Sequence, residues 1–357
     1  MLKIITTCRE FDDIRDEWNE LFDVSSRCTA FQSWGYQRWA WDFLSTSSVG
    51  RLFIVCIIRQ KDKLLQAVFP FYVDKDKTVR FINDRHSDFC DAIIHPDFED
   101  DYHIYEELAL CIEAEKNIKT VCLDNLRPGS RLSSFLSYFL RGSICYQSKP
   151  YSYINVPSCT EESEDFIKKL EHLTTKERYR LKNIIKKIGD ARLTIYRKDL
   201  GLDFPDSQVN ELIDLMIAVG IRSRDYFNEE FVNLFRHLYD ENLLEVHVSS
   251  LEDAPVSANF YLKSNTKSYI DWIAVYKDGK YNLQNLLQTI EYISSGGGGE
   301  FNFARGLYEY KVHNFRPIIC HLHTFKYSKG IGHWVKDSIG MNFYFAKQLV
   351  KRYIKRK

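Results

Sequence analysis

The sequence predicts an α/β (α+β) protein made of a tandem pair of mixed-sheet domains with flanking helices. One order of elements occurs twice along the 357 residues: helices, a hairpin, a strand, a helix, a strand and a helix. A hairpin followed by a strand–helix–strand crossover is typical of a mixed sheet. The chain is also long enough for two cores. We expect domains over 1–155 and 156–357, divided near the acidic segment Ser158–Asp165.

Apolar periodicity predicts the elements of the first half. Phe11, Ile14, Trp18 and Leu21 share one helical stripe. The two longest apolar runs are joined by a polar link and therefore predict a hairpin. The first half is expected to contain helices over 10–22, 31–43, 102–115 and 132–140 and strands over 52–58, 64–72, 79–82, 92–94 and 120–123.

The second half repeats this order. Thr174 and Glu177 have the spacing of a capping box, which predicts the start of a strongly basic helix. Its basic side chains predict either a solvated face or a surface that attracts an anionic ligand. The second half is expected to contain helices over 174–188, 209–217, 231–239, 283–295 and 334–353, strands over 243–249, 256–262, 268–276, 301–303 and 318–327, and a loop over 277–282.

Composition limits the function classes. The chain has 49 basic and 49 acidic residues, so its net charge does not indicate a nucleic-acid partner. Nine cysteines without a C-x-x-C pair favour reduced thiols, and we expect a cytoplasmic protein with no signal peptide and no membrane span. The basic end of the last predicted helix either complements the helix dipole or contacts a membrane surface or a phosphate.

The segment from Phe301 to Phe315 is the strongest candidate for a functional site. Alternating Phe301 and Phe303 predict a short half-buried strand, and Gly306 then turns the chain. Polar groups follow at once, at the edge of a buried strand, where binding groups often lie. Arg305 and Lys311 are candidate ligands for a phosphate or carboxylate of a substrate, together with Tyr308. The alternative for the whole segment is an ordinary strand, turn and helix start with no binding or catalytic role. The alternative for Lys311 is a side chain that extends along apolar surface into solvent.

Two further side chains are candidates for acid–base chemistry. Asp271 lies on the predicted strand 268–276, where strict alternation places Tyr269, Ile273 and Val275 on its face. A carboxylate among apolar neighbours suits general-base work on an amine. Tyr310 and Tyr308 are either candidate general acids for a leaving group or ordinary packing aromatics. Alternatively, Asp271 is satisfied by Arg305 or by a backbone donor. His247 is either a substrate-binding group or a simply exposed histidine.

Other site types lack support in the sequence. His321 and His323 alternate on one predicted strand without a third ligand nearby, so we expect no metal. The sequence contains no G-x-S-x-G, P-loop or G-x-G-x-x-G pattern. Hydrolase, NTPase and dinucleotide-binding functions are therefore not indicated.

These motifs, in this order, resemble the GNAT-type acetyltransferases of the cellulose-biosynthesis (CelD-like) group, which are related to the Fem peptidyl transferases. The resemblance extends to about residue 327. It is carried by Trp18–Leu21, Phe31–Trp34, Lys63–Leu65, Phe69–Phe71, Asp88–Asp91, Lys176–Asn183, Ala254–Ala258, Phe301–Gly306 and Tyr308–Lys311.

The resemblance implies two GNAT folds, with an acyl donor, usually acetyl-CoA, in the second. In that superfamily a loop after the central strand offers backbone N–H groups to the pyrophosphate. The corresponding loop begins at Asp278, which gives the candidate cofactor-binding residues Tyr281, Asn282, Leu283, Gln284 and Asn285. Relatives have a small residue and a glycine at the positions of Leu283 and Gln284, where these side chains obstruct close approach of a phosphate.

The resemblance implies an acyl-CoA-dependent N- or O-acyltransferase acting on an amine or hydroxyl, possibly on a sugar of a surface polysaccharide. The expected partners are a small-molecule donor and an amine or sugar acceptor, without nucleic acid. One alternative is Fem-like aminoacyl transfer from tRNA to a peptidoglycan precursor. Against it stand the zero net charge and the lack of an inserted helical hairpin. Another is a non-catalytic binding protein that keeps the fold. Oligomeric state is left open.

Overall fold

The computed structural model describes residues 1–45, 50–159, 166–188, 191–265 and 268–330. Contacts divide the chain into two compact units. Of the described residues, unit 1 comprises those within 1–25, 40–148 and 322–330, and unit 2 comprises those within 26–39 and 149–321. These units do not coincide with a single cut at 155/156, so the two sequence domains remain a proposal.

The elements are numbered in chain order. The strands are β1 (Leu2–Ile5), β2 (Gly50–Ile58), β3 (Leu65–Asp74), β4 (Thr78–Phe81), β5 (Ile93–Ile94), β6 (Thr120–Leu126), β7 (Ile144–Val156), β8 (Arg192–Tyr196), β9 (Leu244–Leu251), β10 (Ala254–Lys263), β11 (Tyr269–Tyr276), β12 (Gly299–Arg305) and β13 (Ile318–Ser328). The helices are α1 (Cys8–Asp12), α2 (Arg15–Val24), α3 (Trp34–Ser45), α4 (Tyr102–Ala114), α5 (Arg131–Phe139), α6 (Phe166–Lys169), α7 (Thr175–Ile188), α8 (Asp206–Ala218), α9 (Glu229–Asp240), α10 (Gly279–Ser295) and α11 (Glu309–Phe315).

Unit 1 is built on a mixed sheet in the order β1-β2-β3-β4-β6-β13, with β5 beside β3. Only β4 and β6 run parallel, and α4 connects them. One face of the β2–β3 hairpin packs under α4 and α5. Its core includes Phe53, Phe69, Phe71, Leu108 and Leu136, all fully buried.

Unit 2 is built on a mixed sheet in the order β7-β12-β11-β10-β9-β8. Only β11 and β12 run parallel, and α10 connects them. The β9–β10 hairpin turns at Glu252 and Asp253, whose φ angles are 49° and 66°. Two successive left-handed residues match the twist of a tight hairpin. The two units therefore share the order hairpin, strand, crossover helix and strand.

In each half of the chain, the strand that comes after the parallel pair and its following helix completes the sheet of the other half. β7 follows α5 and pairs antiparallel with β12, while β13 follows α11 and pairs antiparallel with β6. Because of this exchange, membership of a unit does not follow chain order.

Each parallel pair has a short ladder. β11 and β12 pair at Tyr269 with Phe301 and at Ile270 with Asn302. β4 and β6 likewise form two pairs. The described ladder between β11 and β12 ends there, although β11 continues to Tyr276. Backbone and side chains beyond Ile270 and Asn302 therefore face a gap between the strands.

The predicted fold class is confirmed: a mixed α/β structure with two related mixed-sheet units. The capping box of α7 is also confirmed, since Glu177 accepts from the Thr174 backbone at 2.8 Å and Thr174 caps Glu177 N. The loop predicted over 277–282 is wrong because α10 begins at Gly279, capped by Asp278. β7 and β8 were not predicted. The basic helix predicted over 334–353 lies outside the described residues.

In the part of the chain that the structure describes, no helix is both long enough and apolar enough to cross a membrane.

Candidate functional site

A bulge in β11 decides which face Asp271 occupies. Tyr261 pairs with Asp271 and Phe260 pairs with Ile273, so Trp272 is the extra residue. The bulge turns Ile273 and Val275 to the opposite face, and the predicted face shared by Asp271, Ile273 and Val275 is wrong. A register shift of one residue exchanges the faces of every later side chain.

The ammonium of Lys311 lies where β11 and β12 part. Its Nζ donates to the Phe303 carbonyl of β12 at 2.5 Å and lies 3.5 Å from Asp271 Oδ2 of β11. Lys311 and Asp271 are 4% and 6% exposed. The alternative that Lys311 merely extends into solvent is wrong, because a buried ammonium bridges two separating strands.

Three aromatic rings surround this ammonium. Nζ lies 5.3 Å from the ring centroid of Tyr308, 5.8 Å from that of Tyr310 and 5.9 Å from that of Phe303. The negative faces of such rings attract a cation within about 6 Å. Tyr308 is 57% exposed and its ring stacks on Tyr310. Tyr310 is 37% exposed, so the lysine ends in a cage with two walls that partly face solvent.

Burial and the negative charge of Asp271 raise the pKa of Tyr310 well above its usual range. Asn282 forms a side-chain hydrogen bond with Tyr310 that lowers the pKa but does not outweigh the other two effects. The phenol therefore keeps its proton at neutral pH. A neutral phenol with a raised pKa donates hydrogen bonds but is a weaker acid than free tyrosine, so it can give up its proton only as it gains another.

A strained turn aims the Phe303 carbonyl at Lys311. Ala304 has a φ of 58°, and its N–H donates to Asn302 Oδ1 at 2.9 Å. Gly306 follows at φ 94°, and its N–H donates to the Pro150 carbonyl. A left-handed alanine costs roughly 1 kcal/mol, and such strain clusters at functional sites. Arg305 lies half-buried between these two residues, opposite Tyr151 of β7.

Beside this cage the sheet face under α10 carries a buried polar layer. His247 is fully buried, so the alternative of a simply exposed histidine is wrong, while its predicted substrate-binding role stays a prediction. Its Nε2 lies 3.2 Å from Glu245 Oε2, and its Nδ1 lies 2.8 Å from the Thr289 hydroxyl. Burial lowers the pKa of His247. A neutral imidazole that donates from Nε2 and accepts at Nδ1 satisfies both contacts.

Glu245 is the charged centre of this layer. Burial alone would raise its pKa, but the hydrogen bond from His247 and the cations Lys263 and Arg197 outweigh burial and lower it. Lys263 Nζ and Arg197 Nε lie 3.3 and 3.4 Å from Glu245 Oε1. The carboxylate is therefore ionised and fully paired.

The proposed donor segment lies in α10 instead of in a loop. Asn282, Gln284 and Asn285 are buried against the sheet, and Tyr281 and Leu283 are half-buried. Asn282 accepts from Asn259 Nδ2 at 2.8 Å, and Asn285 accepts from the Tyr261 hydroxyl at 3.3 Å. At the start of the helix Asp278 Oδ1 accepts from Lys280 N at 3.0 Å. A carboxylate thus occupies the position that an anion prefers at a helix N-terminus.

The structure brings Asp271, Tyr310, Lys311 and Asn282 together, with Tyr308 at the rim of the cage. The contacts of His247 instead lie in the adjoining layer. Sequence reasoning missed the other members of this layer: Glu245, Ser249, Ser257, Asn259, Tyr261 and Thr289. A signal for them existed, since polar residues recur at every second position of β9 and β10. A polar repeat of period two indicates one sheet face.

No cluster of three or more potential metal ligands occurs within the described ranges. All nine cysteines lie within them and are free thiols.

Comparisons with known proteins identify the fold. No protein-family profile matches the sequence, and no curated protein matches it. The C-terminal domain of a lysylphosphatidylglycerol synthetase candidate from Agrobacterium fabrum aligns at 9% identity and a TM-score of 0.57, over 89% of this chain and 92% of that one. L-PGS from Bacillus licheniformis aligns at 12% identity and a TM-score of 0.53, over 82% and 87%. A tandem GNAT protein from the clavulanic acid biosynthesis pathway aligns more loosely, at 10% identity and a TM-score of 0.45, over 93% and 99%.

At these identities the likeness concerns the fold alone. The finer resemblance to the CelD-like group remains a prediction.

Proposed function

We propose that unit 2 is an acyltransferase centre in which Lys311 stabilises the negative charge that develops on the acyl oxygen. The observation that carries this proposal is the buried ammonium held between Asp271 and the Phe303 carbonyl, where β11 and β12 separate. Such a cation is fixed before the reaction and acts in a low-dielectric site. A preorganised donor of this kind contributes about 2.7–4 kcal/mol to transition-state stabilisation.

The chemistry requires one bond to form and one to break. The acceptor nitrogen or oxygen attacks the acyl carbon, and the bond from that carbon to the donor's leaving atom breaks. Tyr310 gives its phenolic proton to the leaving atom and recovers a proton from the acceptor. Asp271 holds Lys311 in place. Because Asp271 Oδ2 already lies 3.5 Å from the Lys311 ammonium, the predicted general-base role of Asp271 is the alternative within this mechanism.

Acetyl-CoA is the proposed donor, and a sugar amine or hydroxyl of a surface polysaccharide is the proposed acceptor. Both rest on the resemblance of the sequence motifs. The capped N-terminus of α10 does not fit a diphosphate as it stands, because Asp278 takes up the Lys280 N–H. We therefore propose that the CoA diphosphate binds away from this cap.

That cap also favours a second candidate, transfer of an aminoacyl group from an ester donor. Such a donor needs no diphosphate site at α10. Two of the similar structures come from lysylphosphatidylglycerol synthetase proteins, which agrees with this candidate at the level of the fold.

Thiol release from acetyl-CoA with a panel of amines and amino sugars tests the proposal. Lys311→Met should lower the rate about 10²–10³-fold, while Lys311→Arg should retain part of it. Asp271→Asn should retain donor binding and lose less activity than Lys311→Met. Equal losses in the two variants would favour Asp271 as the base. A wild-type protein that shows neither thiol release nor a thermal shift with millimolar acetyl-CoA would exclude CoA as the donor.

The same preparation, tested with labelled aminoacyl-tRNA, examines the second candidate. Transfer of label to phosphatidylglycerol vesicles or to a peptidoglycan precursor, lost in Lys311→Met, would establish it. Asp278→Ser is a separate test of where the acetyl-CoA diphosphate binds, since serine still caps the N-terminus of α10 but carries no negative charge. Unchanged acetyl-CoA affinity is expected, and tighter binding would place the diphosphate at α10 after all.

A further inference from the structure

A second cleft lies in unit 2, between the first turns of α7 and the end of α11. Its volume is about 550 Å³. Basic and amide side chains and one aromatic ring form most of its lining. These are Lys176, Tyr179, Arg180, Asn183, His313 and Arg316.

The cleft is on the opposite side of α11 from the reactive lysine. Lys311 points into the core and is 4% exposed, whereas His313 is exposed and faces the cleft. Two residues along a helix differ by about 200° in direction. The proposed transfer chemistry therefore leaves this cleft unexplained.

The internal contacts of the cleft leave an excess of positive charge. Glu177 is the single carboxylate among the described lining residues. Its oxygens already accept from the Thr174 backbone, the Thr174 hydroxyl and Arg316 Nε. Arg180 donates to the His313 carbonyl and contacts the His313 ring. Three cations thus share one carboxylate. Lys176 is exposed and makes no ion pair with any described residue.

Arg316 and Tyr179, which line the cleft, are exposed and can be reached by a ligand. Arg316 ends α11 in a left-handed conformation, with φ 41°, and its side chain is 57% exposed. Tyr179 is 67% exposed and offers a ring face beside the cations. Arginine and lysine with a neighbouring aromatic ring are suited to a phosphate attached to a flat group.

We propose that this cleft binds the diphosphate of a nucleotide-sized ligand, with Lys176 and Arg316 on the phosphate oxygens and Tyr179 on the base. A cavity of about 550 Å³ falls in the range of small-molecule sites. The diphosphate belongs either to a free nucleotide or to a nucleotide-activated substrate. Binding here is independent of the reaction assigned to Lys311.

Protection from chemical modification tests the site without requiring activity. A limiting amine-reactive reagent should modify Lys176 and Lys186 of the intact protein, and mass spectrometry measures both rates. Lys186 is exposed on the same helix and does not line the cleft. Pyrophosphate or UDP should slow modification of Lys176 at least several-fold and leave Lys186 unchanged. Equal rates with and without millimolar pyrophosphate and UDP would overturn the proposal.

Titration calorimetry with matched variants locates the ligand. Lys176→Glu should weaken pyrophosphate and UDP binding about 10-fold at low ionic strength, while Lys186→Glu should have little effect. Tyr179→Ala should weaken UDP about 10-fold and leave pyrophosphate unchanged, as expected for a stacked base. If Lys176→Glu and Lys186→Glu lost the same amount of affinity, the effect would come from general surface charge, and the proposed site would be contradicted.

Two further measurements distinguish a free nucleotide from a nucleotide-activated substrate, and the anion site from the proposed transfer centre. UDP-N-acetylglucosamine binding more tightly than UDP would identify a nucleotide-activated substrate, and equal binding would identify the free nucleotide. Lys311→Met should bind pyrophosphate as the wild type does, so failure of acyl transfer would not affect this result. Pyrophosphate affinity lost in Lys311→Met but kept in Lys176→Glu would instead place the anion at the transfer centre.

Discussion

The hairpins β2–β3 and β9–β10 have the same place in their units but different chemistry. β2–β3 is apolar on both faces over most of its length, with Phe53 and Phe69 on one face and Ile54 and Val68 on the other. β9–β10 is apolar on one face only. Its other face buries a set of polar and ionised groups: Glu245, His247, Ser249, Ser257, Asn259 and Tyr261.

This difference supports the proposal that the transfer chemistry belongs to unit 2. Burying a polar group costs about 1–3 kcal/mol unless a partner satisfies it. Unit 1 avoids this cost along its hairpin, whereas unit 2 offsets it through contacts such as those of His247 with Glu245 and Thr289. A substitution in such an interior leaves buried polar groups without partners, so the polar layer tolerates fewer substitutions than an apolar core does. Four substitutions test the comparison, taken from the largest expected effect to the smallest.

Phe69→Ala should have the largest effect on stability. Phe69 is fully buried in the unit 1 core, and its truncation should cost about 3–5 kcal/mol in the free energy of unfolding. Urea unfolding monitored by tryptophan fluorescence measures it. Phe69→Leu is the matched control, with an expected cost of about 1 kcal/mol. A small loss in Phe69→Ala would show that packing does not dominate this hairpin.

Lys311→Met should cost about 2–3 kcal/mol of stability, because it leaves Asp271 buried without its ammonium partner. A double-mutant cycle with Asp271→Asn should give a coupling of about 1–2 kcal/mol. The exposed pair Arg59–Asp62 of unit 1 serves as the control, and no measurable coupling is expected there. Purely additive changes for Lys311 and Asp271 would show that the buried pair does not act as a unit.

His247 should make unit 2 sensitive to acid. Burial holds its folded-state pKa below the ordinary value of 6.5, so the unfolded chain binds a proton that the native protein does not. The contribution of His247 is complete above about pH 6.5. It is lost as the pH falls toward the folded-state pKa, by at most about 1.4 kcal/mol per pH unit.

His247→Gln should flatten the dependence of stability on pH below 6.5, measured by urea unfolding across that range. Glutamine can still donate to Glu245. The pKa of His86 in unit 1 is also lowered by burial, so the wild-type slope has a second source that the variant keeps. His103 is exposed, and His103→Gln shows what the same substitution does to stability at a surface position. If the pH dependence of stability were the same in His247→Gln as in the wild type, His247 would be protonated in the folded protein as readily as in the unfolded chain.

Gly306→Ala should have the smallest effect, about 1 kcal/mol, since its φ of 94° disfavours a side chain. Gly129 stands at the matching position before α5 of unit 1, with φ 80° and open space around an added methyl. At Gly306 the methyl would also meet the Tyr308 ring at 3.0 Å. Thermal unfolding should therefore show a larger loss for Gly306→Ala than for Gly129→Ala. If both variants lost the same stability, the Tyr308 ring would move away from the added methyl at no measurable cost.

Local pattern was sufficient to predict most elements. The apolar runs of β2 and β3, the alternation of β9 and β10 and the capping box of α7 depend on residues that are close in sequence. β7 was missed because its long alternation is polar and contains Pro150. The start of α10 was placed late because Asp278 was read as part of a loop, whereas its carboxylate caps the helix.

The candidate site was predicted less completely. The segment from Arg305 to Lys311 was identified from its polar groups at a strand edge, but the partner of Lys311 was not. The pairing with Asp271 joins residues 40 positions apart and depends on the bulge at Trp272. A pattern of period two cannot show a bulge, so the face predicted for Ile273 and Val275 was wrong.

The sequence by itself determined the repeated order of elements, because helical and strand periodicities are local properties of the chain. The tertiary structure alone decided which strands complete each sheet, which face Asp271 occupies and that Lys311 and His247 are buried. These features depend on pairings between distant segments, whose free energy comes from desolvation and packing in the assembled unit. The Lys311 ammonium between the parting strands is the result of those pairings.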